Sequence, residues 1–143
     1  MTIDGLDDAA IRDILIHRRR IAVVGASANA GRPSFGVMGF LIGQGHDVTP
    51  VNPGLAGQSV QGRAVAATLD AAVPLEMVDV FRASDQVPAV VDDAIRLGAD
   101  IVWMQLGVVH EEAAARARAA GITVVMDRCP VIETRRLGLP DPA

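Results

Sequence analysis

Lysine is missing from this chain, and all 13 of its basic residues are arginine. The absence removes lysine Schiff-base chemistry and the lysine of a Walker phosphate loop, so arginine must pair with any phosphate. Tyrosine is also missing and aromatics are only 3% of the 143 residues, although 50% are hydrophobic. The core must therefore be built from Val, Ile, Leu, Ala and Met, a composition suited to a parallel sheet covered on both faces. One cysteine, Cys129, permits neither an internal disulfide nor a Cys-x-x-Cys pair, which points to a reducing, cytoplasmic setting. The first eight residues are acidic and hold no long apolar run, so neither a secretory leader nor a membrane anchor is expected. A formal net charge of −4 disfavours nonspecific nucleic-acid binding. His17, His46 and His110 stand singly, away from any acidic cluster, so no metal site is expected.

What is present alternates. The length suits a single domain. Ala9, Ile11, Ile14, Leu15 and Ile16 have helical spacing between Asp7-Asp8 and His17-Arg-Arg-Arg20, charges that match the two ends of a helix dipole. The pattern predicts strands over Ile21 to Val24, Val48 to Val51, Val78 to Phe81, Ile101 to Met104 and Ile122 to Met126. Helices are expected from Pro33 and Ser34 to near Gly45, over Gln86 to Leu97 and over Glu111 to Ala120. Val60 to Ala66 is a weak strand candidate, Thr68 to Ala72 a short helix, and Leu137 to Ala143 a frayed tail. Gly36, Gly39 and Gly43 share one face of their helix, and close packing on the sheet would offset their cost. This order predicts an α/β, Rossmann-like, doubly wound and mostly parallel sheet with helices on both faces. The divisions are a leading helix over 1–20, the binding domain over 21–133 and a tail over 134–143.

The chemistry gathers where strands end. Ile21-Ala-Val-Val-Gly25 breaks at a glycine, crosses a small-residue loop with Arg32, and enters a helix at Pro33-Ser34, the place of a nucleotide's phosphates in such a sheet. Five loops should converge: 25–34, Asn52 with Pro53, Phe81 with Arg82, Gln105 to Gly107, and Asp127 to Pro130. NAD is disfavoured, because Ser27 replaces the second glycine of G-x-G-x-x-G and the acidic Asp47 precedes its strand. A hydrolase reading uses Ser27, Asp79 and His110 in order, but Asn29 replaces the second elbow glycine. His110 falls where a helix cap belongs and would be a poor one. Cys129 falls near the ligand edge, either as a thiol open to disulfide exchange with a thiol ligand or as a small packing residue.

Six ordered motifs, Val24-Gly-Ala-Ser27, Arg32-Pro-Ser34, Pro50-Val-Asn-Pro53, Val78-Asp-Val-Phe-Arg82, Trp103-Met-Gln-Leu-Gly-Val-Val109 and Val125-Met-Asp-Arg-Cys-Pro130, span Ile21 to Glu133. Together they resemble the small stand-alone CoA-binding proteins, relatives of the CoA-binding domain of succinyl-CoA synthetase alpha subunits. The resemblance implies CoA or an acyl-CoA across the sheet's C-terminal edge. Gly25, Ala26, Ser27, Arg32 and Ser34 would hold the diphosphate, Asn52 and Pro53 would border the ribose, and Val80, Phe81 and Arg82 would flank the adenine. Gln105 and Gly107 would close the far side, and Arg63 or Arg82 could read the 3′-phosphate. The synthetase's phosphohistidine belongs to a second domain, so the expected role is non-catalytic binding. The alternatives are an NAD(P)-binding or other nucleotide-dependent enzyme, and a regulatory subunit whose helix Glu111 to Ala120 meets a protein partner.

Overall fold

The computed structural model describes residues 3–143. Its strands are β1 (Arg20–Val24), β2 (Asp47–Val51), β3 (Ser59–Val60), β4 (Arg63–Ala64), β5 (Met77–Val80), β6 (Ile101–Met104) and β7 (Thr123–Val125). Five of them form one parallel sheet in the order β2-β1-β5-β6-β7, and β3 pairs with β4 apart from it. The chain therefore reverses its winding between β1 and β5, and this opens a crevice at their C-terminal ends.

Strand alternation divides the interior in two. Ile21, Val23, Met77, Ile101 and Trp103 face α1 (Asp8–Leu15), α2 (Pro33–Gly43) and α5 (Pro130–Arg136). Ala22, Val24, Val78, Val80, Val102 and Met104 face α3 (Val87–Leu97) and α4 (Glu111–Ala119). Helices on both faces explain why every residue of β5 and β6 is buried, and why β6 is a continuous apolar run and β5 is apolar except at Asp79. The alanines of α4 serve that core: Ala113, Ala114 and Ala117 are fully buried, so its smooth face is covered by this chain itself.

Local chemistry sets the ends. Asp7 accepts a hydrogen bond from the Ala10 amide at 2.9 Å and caps α1. His110 caps α4 in earnest, its Nδ1 accepting from the Ala113 amide at 3.1 Å. Gly98, left-handed at φ +78°, closes α3.

Four differences from the sequence expectations have physical reasons. Instead of one strand over 60–66, β3 and β4 form an antiparallel hairpin. Its two-residue turn puts Gln61 and Gly62 at φ 49° and 79°, the left-handed pair such a tight hairpin needs. The glycine face of α2 does not lie on the sheet: Gly36 and Gly43 have open space where a Cβ would go, and Gly39 meets only the Gln61 side chain.

The third difference is α5, a helix beyond those the pattern predicts, which starts on Pro130 at its first helical position. The fourth is the end of the chain. Ala143 donates its amide to the Ile16 carbonyl at 3.0 Å and accepts from the Arg18 amide at 3.1 Å, so the segment expected to fray is fastened.

Arg128 anchors α5 from beneath. Its guanidinium, 8% exposed, donates to Asp4 at 2.8 and 2.9 Å and to Glu133 at 2.6 Å. Burial raises the Glu133 carboxyl, but hydrogen bonds from Arg136 and Arg128 outweigh it and hold the group below its ordinary value. The buried charges are thus paired, as burial requires.

Candidate ligand-binding site

Gly25 shapes the crevice. It is left-handed at φ +87°, its amide donates to the Val51 carbonyl at 3.0 Å, and a Cβ there would run into the Phe81 carbonyl oxygen. Only glycine lets β1 turn outward at that crossing. The loop beyond is held by its own side chains: Ser27 Oγ accepts from the Asn29 amide at 3.0 Å, and Asn29 Oδ1 from the Gly31 amide at 2.9 Å. Asn52 clamps it from β2, donating Nδ2 to the Ala26 carbonyl at 2.8 Å while Oδ1 accepts from the Gly54 amide at 2.8 Å.

These elements border a cavity of ≈ 580 Å³, a volume within the range of small-molecule sites. Gly25, Ala26, Ser27, Arg32, Ser34, Asn52, Phe81, Arg82 and Gln105 all line it, as the sequence places them. Pro53, Val80 and Gly107 lie outside the lining. Pro53 opens a 3-10 turn, Pro53–Leu55. Val80 is fully buried on the α3 and α4 side of the sheet, so its side chain faces away. Gly107, at φ +79°, donates its amide to Asp127 Oδ1 at 2.7 Å and shapes the rim indirectly.

Polar and apolar side chains both line the cavity. No side chain caps α2, whose N-terminus opens beside Ser34 and Arg32. The positive pole of the helix favours negative charge at that end. Pro33, at the helix start, also lines the cavity, and Val37, Leu106, Val108 and Cys129 complete the wall. Sequence reasoning does not single out the apolar ones, because their periodicity reads only as core, and Leu106, 56% exposed, carries no signal beyond its loop. Of the fifth loop, only Cys129 reaches the lining; Arg128 turns the other way, into its buried ion pairs.

Charge pairing sorts the arginines. Arg63 binds Asp47 at 2.8 Å, at the start of β2 and so at the opposite edge of the sheet from the cavity. It does not line the cavity. Arg32 and Arg82 line the cavity, and among the described residues neither makes an ion pair.

The hydrolase arrangement does not form. Ser27 Oγ meets the Asn29 amide, His110 Nδ1 is spent on its helix, and Asp79 has no hydrogen-bond partner on either oxygen. Asp79 lies in β5 between Val23 and Trp103, wholly buried, and burial pushes its carboxyl well above the ordinary carboxylate range. Among the described residues there is no cluster of His, Cys, Asp or Glu able to hold a metal, and no helix long and apolar enough to cross a membrane.

A parallel sheet with a glycine turn, an uncapped helix end and two unpaired arginines at its topological switch point defines a Rossmann-like α/β class of protein. Within that class, the chain belongs to the CoA binding domain family, whose model matches residues 19–135. It is 36% identical over 121 residues to the uncharacterized protein YneT of Bacillus subtilis, covering 85% of this chain and 89% of that protein. A hypothetical protein from Pyrococcus horikoshii superposes with a TM-score of 0.89 at 39% identity, covering 97% of each chain. The dinucleotide-forming acetyl-coenzyme A synthetase 1 of Candidatus Korarchaeum cryptofilum shares the fold, with a TM-score of 0.65 at 24% identity over 78% of this chain and 26% of that one.

Proposed function

We propose that this chain binds coenzyme A or a small acyl-CoA in the cavity at the C-terminal edge of the sheet, without catalysing a reaction on it. The observation that carries the reading is the pair of cavity arginines without carboxylate partners, Arg32 and Arg82, beside the open end of α2. Two separate cations suit a ligand with two separate anionic groups, the diphosphate and the 3′-phosphate.

In this reading Gly25, Ala26, Ser27, Arg32 and Ser34 surround the diphosphate, and Asn52 acts by holding the loop against β2 while Pro53 starts the turn beside the ribose. Phe81 offers the adenine an aromatic surface, Val80 contributes only by ending β5, and Arg82 meets the 3′-phosphate. Gln105 and Gly107 close the far side. Ser27 and His110 each bond within their own segment and Asp79 is buried without a partner, which supports a binding role over hydrolysis.

The test is parallel calorimetric titration with CoA, dephospho-CoA, ADP and NAD. CoA is expected to bind most tightly, and Arg32→Ala should weaken it by about 1.5–3 kcal/mol, as for the loss of a charge-assisted contact. Arg82→Ala should erase the preference for CoA over dephospho-CoA. Binding of NAD alone, or of none of the four, rejects the proposal.

A further inference from the structure

Ile3, Val73, Leu106 and Ile132 are the large apolar side chains that stand exposed among the described residues, and of these Leu106 alone lines the cavity. A single exposed leucine on an open surface is ordinary. At the wall of a cavity, it is apolar area that a ligand can cover.

The exposure of Leu106 is built into its turn. The Val108 amide donates to the Gln105 carbonyl at 2.8 Å, with Leu106 at one corner and Gly107, left-handed at φ +79°, at the other. A type II turn requires such a residue at its third position. Side chains pin the turn from two directions. Asp127, after β7, accepts from the Gly107 amide at 2.7 Å. Ser84, after β5, accepts from the Val109 amide at 3.1 Å and donates to the Gly107 carbonyl at 3.4 Å. Leu106 is thereby held at the wall rather than folded into the core.

The distribution of charge tells which part of a ligand meets this leucine. Arg32 lies beyond β1 and Arg82 beyond β5, whereas the lining beyond β6 and β7 (Gln105, Leu106, Val108 and Cys129) contains neither arginine nor carboxylate. We infer that Leu106 is a specificity-determining residue of the cavity, which covers the uncharged arm of a ligand beyond its phosphates and so favours a nucleotide bearing such an arm over the bare nucleotide. The inference rests on the CoA reading above, in which the arm is the amide-containing chain that ends in the thiol. Covering the exposed part of a leucine with that chain removes apolar surface from water, and the bare nucleotide has no counterpart to do so.

The experiment is parallel calorimetric titration of the wild-type chain, Leu106→Ala and Leu106→Met. The ligands are CoA and adenosine 3′-phosphate 5′-diphosphate, the nucleotide of CoA without its arm. Leu106→Ala should weaken CoA about tenfold, as for the loss of about two buried methylene groups, and leave the bare nucleotide within about twofold. Leu106→Met keeps an apolar side chain of similar volume and should bind both ligands as the wild type does. Because Leu106 is exposed, both variants should unfold at the wild-type temperature.

Equal losses for the two ligands, equal losses in the two variants, or no loss for CoA overturns the inference. The wild-type chain separates it from the reading on which it rests: equal affinity for the two ligands removes the arm contact and keeps the nucleotide site, whereas binding of neither removes the CoA site itself.

Discussion

Asp79 is the residue most at odds with its surroundings. A carboxyl buried without a partner gives up its charge, because desolvation penalises the ionised form. Its raised folded value sets the sign. The unfolded chain releases this proton as pH rises past the ordinary carboxylate range while the folded chain keeps it, so stability is lost with rising pH up to the folded value. Asp79→Leu should therefore stabilise the protein at pH 7 by about 1–3 kcal/mol, the cost of a buried unpaired polar group, and the gain should shrink towards pH 4. Urea unfolding at both pH values checks this; a destabilised variant at pH 7 would mean that the carboxyl finds a partner in solution.

Gly25 makes the contrary case, a residue whose odd backbone is required. Gly25→Ala faces both a left-handed φ and the Phe81 carbonyl, and should cost at least about 1–2 kcal/mol in urea unfolding while also weakening CoA binding. That requirement is readable from the sequence, because an apolar run that stops at a glycine before a small-residue loop marks a strand turning sharply at its end. The environment of Asp79 is not readable in this way: its letter sits in a strand, and nothing in the sequence tells whether a neighbouring cation will reach it.

At the scale of elements, α2 shows how a pattern can be plain and its cause still hidden. The three glycines do share a face, but Gly36 and Gly43 look into open space. With no packing to justify them, Gly36→Ala and Gly43→Ala should each raise stability by about 1 kcal/mol, measured by thermal or urea unfolding. The five strands of the sheet and the helices between them are legible because each has a full period of apolar residues. The hairpin and α5 are not. Gln61 adopts a left-handed backbone that glutamine seldom does, and Pro130 reads as the end of a strand's exit loop when it is also the favoured first residue of a helix.

The site divides along the same line. Residues on the strand-end loops are legible because topology alone brings them together, whereas the outward or inward turn of a loop side chain is not. Arg128 and Cys129 are neighbours in one turn, yet one enters a buried ion cluster and the other lines the cavity.

Across the whole molecule, stability against acid depends on His46 as well as on the carboxylates. His46 is 4% exposed, and its Nδ1 accepts from the Arg19 amide at 3.0 Å, joining the start of β2 to the approach of β1. Burial first, and then the positive charge of Arg19, hold its imidazole below the ordinary histidine value, with Glu76 opposing. A depressed folded value means that stability is fully present above about pH 6.5 and is lost as pH falls from there through the folded value. Between pH 7 and 5 the unfolding free energy should fall by up to about 1.4 kcal/mol per pH unit from this group, and His46→Gln should remove that component. An unaltered pH dependence in the variant would show that His46 titrates as freely in the folded chain as in the unfolded one.

Trp103 carries a further consequence. It is fully buried in β6, and its indole N–H donates to the Arg128 carbonyl at 2.8 Å, one residue before Cys129. With no tyrosine and a single tryptophan in the chain, near-ultraviolet emission is the signal of this one indole. Its colour therefore follows the turn after β7, and the protein carries its own fluorescent gauge of what happens at that end of the cavity.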